Sequence, residues 1–417
     1  MLLKKRIVII GAGPVGLEAA LYGATLGHEV RVFERIEVGG NIRNWGHVRM
    51  FSPWSMNVTP LGMRMVKSGK WDEDACPRGR EFCDLYLQPL SESKQQRETI
   101  LTGTTVVQVG RKRKLKHDGI GDPNRGDTPF RVLVRHARGK EVMTEADIVI
   151  DASGVYSNSC YMGDGGIPAI GEIANRHRII YGLDDILGRD RVKYEGKTTL
   201  VVGAGHSAAT TIVAFKALCE AEPGTRAIWA VRVNKKTPFD VNGGDPLGER
   251  ASLTKKANEI AGGSCSNIQY LTGHTVEAVA FDADENQFEV TLHNGRAPLT
   301  MRVDRVIAHV GLGPDNSLYR QLQIHECYAT RGPMELAAAL LGETSKDCLD
   351  QKSQEADLLR NPEPNFFIIG HKSYGTRPNF LLRVGHEQVR DVFKLIQNDS
   401  KLDLYAKVKH ETPVPAS

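Results

Sequence analysis

The seven cysteines, Cys76, Cys83, Cys160, Cys219, Cys265, Cys327 and Cys348, form no C-x-x-C pair and no zinc-ligand spacing. This absence argues against a dithiol redox motif and a structural zinc site, and the odd count suits a reducing compartment, so the cytoplasm is expected. The thirteen histidines include no His-x-x-x-His and no His-Cys cluster, so no metal is expected. No window reaches the roughly 18 apolar residues of a spanning helix, and the apolar part of "MLLKKRIVII" is too short for a signal sequence; no membrane partner is expected. A G-x-S-x-G elbow is missing, which leaves acyl transfer unsupported. Neither charge sign dominates: 54 basic and 50 acidic residues are mixed along the chain, a solvated surface with no footprint for nucleic acid. The run "GRKRKLKHDG" from Gly110 reads as a solvated edge.

What the sequence does contain is a repeated glycine turn. Lys5 to Ile10 is a short apolar run of the buried parallel-strand type that leads into Gly11-Ala12-Gly13-Pro14-Val15-Gly16. A helix follows, Gly27 stops it, and "EVRVFE" supplies a second strand ending at Glu34. The first glycine permits the turn, the second lets backbone approach a pyrophosphate, and the third lets helix pack on strand. Glu34 stands about 20 residues on, where a carboxylate accepts hydrogen bonds from a ribose diol and disfavours a 2'-phosphate. With "VGGN" at Val38 to Asn41 just beyond, the reading is FAD.

Gly203-Ala204-Gly205-His206-Ser207-Ala208 repeats the design with alanine in third place. Its second strand ends at Arg232, with Lys235 and Lys236 behind. A cation there accommodates the 2'-phosphate that distinguishes NADPH from NADH.

The two halves match beyond these loops. Phe130 to Tyr156 and Phe288 to Asp315 both read as hairpin strands followed by an apolar strand that ends in glycine, at Gly154 and Gly311. "PNFFIIGHKSYG" adds a buried strand closing on Gly370, and "FLLRVGHEQVRDVFKLI" reads as the last helix. The expected fold is α/β with two Rossmann-like, three-layer ββα domains. The NADPH domain (157–312) is inserted in an FAD domain made from 1–156 and 313–417. Residues 62 to 96 read only as polar, partly helical surface, and "ETPVPAS" as a disordered tail.

This pattern resembles the flavoproteins with two dinucleotide-binding domains, most of all the flavin-containing and N-hydroxylating monooxygenases. The resemblance rests on the two glycine loops, on Glu34, Gly39, Gly40 and Arg232, and on the strand ending in Gly154. The sequence departs from the family at His206, where asparagine is usual, and at Gly370-His371, where Gly-Asp is usual; the Baeyer-Villiger signature is absent. The resemblance implies an FAD-containing, NADPH-dependent oxidoreductase that uses molecular oxygen, through a C4a-hydroperoxyflavin, to oxygenate a small molecule. The alternative is a reductase passing electrons to a quinone or protein acceptor; a slow redox sensor is a third reading. A homodimer is the candidate assembly.

The residues expected at the flavin are Gly11, Gly13, Pro14, Val15, Gly16, Glu34, Arg35, Gly39, Gly40, Asn41, Trp45, Gly154 and Gly370. Val384, Gly385 and His386 are expected to open the last helix and to aim its N-terminus at the reduced ring. Gly203, Gly205, His206, Ser207, Ala208 and Arg232 are expected at NADPH. The aromatic stretch Asn44 to Val58 is the expected substrate wall, with His47, Arg49 and Trp54 as candidate contacts. His325 and Cys327 stand two apart without an assigned role.

Overall fold

The computed structural model describes residues 4–66, 71–240, 245–342 and 356–406; Cys348 and the C-terminal tail lie outside them. Contacts divide the chain into two compact units. The first comprises Met1–Arg43, Pro53–Asn158 and Gly313–Ser417, and the second Asn44–Ser52 and Ser159–Leu312. Residues 44–52, expected with the first glycine loop, thus pack with the second unit.

In the first unit, β1 (Arg6–Ile10), β2 (Glu29–Phe33), β3 (Ile100–Leu101) and β7 (Ile148–Asp151) join the strand Phe366–Ile368 in a parallel sheet. β1 lies inside it, with Ile10 paired to Phe33 on one side and to Asp151 on the other. Both of its faces are covered, which is why its sequence is apolar from Ile7 to Ile10 instead of alternating. An antiparallel meander of β4 (Thr104–Arg111), β5 (Phe130–His136) and β6 (Glu141–Ala146) covers one face. Here the period of two is visible: Phe130, Val132 and Val134 are buried against Val8, Ile10 and Phe366, while Arg131 faces water. Helix α1 (Pro14–Thr25) is buried along most of its length and packs through Tyr22 on Phe393, ring centroids 5.0 Å apart.

The second unit repeats this plan. Strands β8 (Thr198–Val202), β9 (Arg226–Val231), β10 (Ile268–Thr272) and β14 (Arg305–Ala308) form a parallel sheet, and β11 (Thr275–Asp282), β12 (Gln287–His293) and β13 (Pro298–Val303) a meander. Alternate residues of the sheet supply two cores. Val201, Trp229 and Ile307 pack with Ile212 and Phe215 of α2 (His206–Ala221), which lies beside α3 (Gly248–Ala261). Leu200, Val202 and Ala230 pack with Phe288 and Val290 of the meander. The chain then returns to the first unit with β15 (Phe366–Ile368) and α4 (Leu382–Gln397).

Two expectations change. Residues 62–96 are not only polar surface: a helical run over Gly79–Phe82, Cys83–Leu87 and Gln88–Ser91 buries Phe82, Cys83, Tyr86, Leu87 and Leu90. Its central turn is a π-turn, which widens the helix locally and shifts its apolar face. In the basic run, Arg111 is 5% exposed, its guanidinium 2.7 Å from Glu363 and stacked over Phe130.

Candidate functional site

Two cradles sit at the carboxyl ends of the two parallel sheets, where open α/β sheets bind ligands. In the first, Gly11 (φ +97°) has no room for a side chain: a Cβ would lie 2.9 Å from the Ala152 carbonyl oxygen and 3.1 Å from the Ser153 Cα. A Cβ on Gly16 would overlap the Gly11 carbonyl oxygen, so helix and turn touch there. Gly13 differs, since a Cβ on it would meet nothing within 4 Å, and the same holds at Gly154 (φ +70°). Open space thus borders the turn where backbone N–H groups at the head of a 12-residue helix favour an anion.

Ala12 ties the lip of this cradle together. Its N–H donates to Glu34 Oε2 at 2.8 Å, and its carbonyl accepts from the Gly39 N–H at 3.0 Å. Glu34 Oε1 accepts from the Ile36 N–H at 2.9 Å. An ionised carboxylate offers about four lone-pair sites, so acceptor capacity remains for a ribose diol. Gly39 (φ +65°) packs on the π-turn, its Cβ position 2.9 Å from Cys83 Sγ. Arg35 donates to Ser157 Oγ at 2.8 Å. Gly370 (φ +71°) and Gly385 both face Val15, with Cβ positions 3.5 and 2.5 Å from its side chain.

The last helix starts earlier than expected. It begins at Leu382, and the N–H groups of Val384 and Gly385 already bond to the Leu381 carbonyl at 3.0 and 3.4 Å. The first turn of this helix therefore precedes Val384, and Val384, Gly385 and His386 are packed inside.

The second cradle has the same construction. A Cβ on Gly203 (φ +126°) would overlap the His309 carbonyl oxygen, whereas a Cβ on Gly205 would meet nothing within 4 Å. Ala208, in third place, is fully buried. Ser207 lies in the exposed first turn of α2. Arg232 follows directly on β9 and is exposed. His206 opens α2, exposed to solvent but with its ring stacked on Phe239 at 5.5 Å and edge-on to Phe51 at 5.4 Å; partial desolvation and then Arg250 hold its pKa below the usual histidine range.

The expected substrate wall is divided. Arg49 lies 3.8 Å from Glu249, and burial lowers the pKa of His47; with Trp45 they belong to the second unit. Trp54 is buried in the first unit, stacked on Trp71 at 4.2 Å and beside Phe82. His325 and Cys327 flank a single isolated bridge between Glu326 and Pro333, and hydrogen bonds from Thr330 hold the Cys327 thiol below its ordinary pKa.

Sequence reasoning missed one charged group beside the first cradle. Asp151, at the end of a buried strand, meets Lys372 at 2.6 Å, with both side chains fully buried. The signal was present: an acid inside "IVIDASG" needs a partner when the strand is covered on both faces.

A bacillithiol disulfide reductase (Bdr, YpdA) from Bacillus cereus superposes with a TM-score of 0.67 at 18% identity, over 95% of this chain and 99% of its own. The cadaverine monooxygenase DfoA of the desferrioxamine pathway of Erwinia amylovora, bound to FAD, gives 0.64 at 13% identity, over 95% of each chain. Among curated proteins, dihydrolipoyl dehydrogenase of Chlorobaculum parvum is 24% identical over 163 residues, 34% of this chain; the match spans about a third of that relative. The sequence pattern of the pyridine nucleotide-disulphide oxidoreductases matches residues 5–331. The chain belongs to the pyridine nucleotide-disulphide oxidoreductase family, whose members are FAD-dependent oxidoreductases working with NAD(P)H.

Proposed function

We propose that the first cradle holds FAD, the second holds NADPH, and the chain is a monooxygenase of a small molecule. The observation that carries this reading is the unlike ending of two like cradles: the carboxylate of Glu34 at the lip of one, the exposed cation of Arg232 after the other. Bound FAD supplies hydride acceptance from NADPH and two-electron reactivity toward oxygen. The chain's own residues do the rest. Glu34 accepts the ribose hydroxyls, the turn at Gly13 admits the pyrophosphate, and Arg232 pairs with the 2'-phosphate. The stoichiometry is one NADPH, one proton and one oxygen molecule consumed per oxygen atom inserted, with one water released.

The route of the electrons favours an external acceptor over a protein dithiol. Cys83 packs against Gly39 of the first cradle, and burial pushes its thiol up to about 12, so it is no thiolate at neutral pH. The solved structures of this fold include both a disulfide reductase and a cadaverine monooxygenase, so the acceptor is chosen by experiment. Purified protein is mixed with NADPH in air, with amine and sulfide nucleophiles. Substrate-dependent NADPH use with gain of one oxygen atom in the product supports oxygenation. Turnover only with added disulfide, quinone or an electron-accepting protein replaces that reading with a reductase, and a chain that takes up no flavin removes both.

A further inference from the structure

The buried charges beside the first cradle have no part in the scheme above. Asp151 ends β7, and its Oδ1 accepts from the Ser153 N–H at 3.0 Å and from the Ser153 hydroxyl at 2.6 Å. Its Oδ2 accepts from Lys372 Nζ at 2.6 Å, and Nζ also donates to Ser153 Oγ at 3.1 Å. The remaining side of the ammonium lies 5.1 Å from the centroid of the Tyr319 ring. The three side chains thus close a ring of hydrogen bonds with neither charge uncompensated.

This ring touches the cradle on one side and α4 on the other. Ser153 is the residue whose Cα lies 3.1 Å from the Cβ position of Gly11, and the next residue is Gly154, open to the space beyond. Lys372 stands in the turn Gly370–Tyr374. That turn is tied to α4 because the Gly370 N–H donates to Gln388 Oε1 at 2.8 Å and Gln388 Nε2 donates to Ser373 Oγ at 2.9 Å. A buried ion pair adds little stability over an apolar pair of the same shape, yet losing one partner is costly. Its value at this place is geometric.

We propose that Lys372 is a positioning residue for the dinucleotide of the first cradle: through Asp151 it fixes the Ser153–Gly154 turn against Gly11 and thereby sets how tightly that cradle binds. The proposal rests on the reading that FAD occupies this cradle. Without the ammonium, the Asp151 carboxylate is left buried and unpaired. The free protein relieves it by letting the turn open to water, whereas a bound dinucleotide needs the turn closed, so the cost appears as lost affinity.

The test is FAD titration of the full-length apoprotein, followed by flavin fluorescence, with NADPH binding to the second cradle as internal control. K372M is expected to bind FAD about tenfold or more weakly and to bind NADPH within about twofold of wild type. D151N/K372M keeps an oxygen for the two Ser153 bonds without a stranded charge, and is expected to recover most of the FAD affinity. Should K372M not fold, S153A decides: it leaves the charges paired and removes the hydroxyl that joins them to the turn, so weaker FAD binding with normal NADPH binding is expected. Normal FAD binding by K372M, or by S153A where that variant decides, overturns the proposal, as does a double variant no better than K372M. Wild-type apoprotein that takes up no FAD overturns the reading beneath it as well.

Discussion

Glu18 gives the most direct physical test of this structure. It lies in α1, two residues after Gly16, and is 1% exposed. Burial pushes its carboxyl up to about 7 from the ordinary 4.5, against a hydrogen bond from the Thr59 hydroxyl at 3.0 Å that favours the charged form. Between these two values the folded chain holds a proton that the unfolded chain has released. The contribution of this group is therefore fully present below about pH 4.5 and is lost as pH rises to about 7, by about 3 kcal/mol in all. Glu18→Gln removes the titration. Its amide N–H groups lack a partner, which costs about 1–2 kcal/mol at every pH. The variant should be less stable than wild type near pH 4 by that amount and more stable near pH 8 by about 1–2 kcal/mol. The assay is urea unfolding of both proteins, flavin-free, at fixed ionic strength. Taking the difference between them cancels the other titrating groups. A difference that stays constant between pH 4 and 8 would refute the argument, because it would show that Glu18 keeps an ordinary pKa in the folded chain.

Three further outcomes are expected. Gly13→Ala should fold with normal stability yet bind FAD about tenfold or more weakly, since its methyl enters only the open space of the cradle, whereas Gly16→Ala should lose stability because its Cβ overlaps the Gly11 carbonyl; melting curves with and without FAD separate the two. Arg232→Ala should raise KM for NADPH about tenfold to a hundredfold and leave NADH unchanged, as loss of a charge-assisted contact requires, and an equal change for both nucleotides would refute its role. Burial holds His309 and His386 neutral with pKa values of about 4, so stability present above about pH 6.5 is lost as pH falls toward 4, by up to about 3 kcal/mol for each; His309→Gln should flatten that acid limb in a urea titration.

The parts of the fold that were legible are those where one residue type has one physical use. Gly11 and Gly203 adopt backbone angles that other residues rarely adopt, and their turns follow apolar strands, so both cradles could be placed from the sequence. The division of residues 44 to 58 could not be placed so, because an aromatic stretch records that it is buried and not against what. The helical run near Phe82 was legible in principle from Phe82, Cys83, Tyr86, Leu87 and Leu90, spaced one, three or four apart. The chain around it is polar, and nothing in the sequence announces a π-turn. Asp151 and Lys372 lie 221 residues apart, so no local pattern could pair them, although the acid alone demanded a partner.

The long segment of the second unit, residues 159–312, leaves and rejoins the first at one doorway, while residues 44–52 join the second unit separately. Ser159 and Leu312 face each other as an antiparallel bridge, and directly outside it the Gly313 N–H donates to the Asn158 carbonyl at 2.9 Å. Asn158 and Gly313 are thus already neighbours, and a very short splice could rejoin the host chain with residues 159–312 cut out. The excised segment has two ends that meet, as a transplantable module needs, but residues 44–52 also pack with its unit, so a new host would have to supply that short stretch as well.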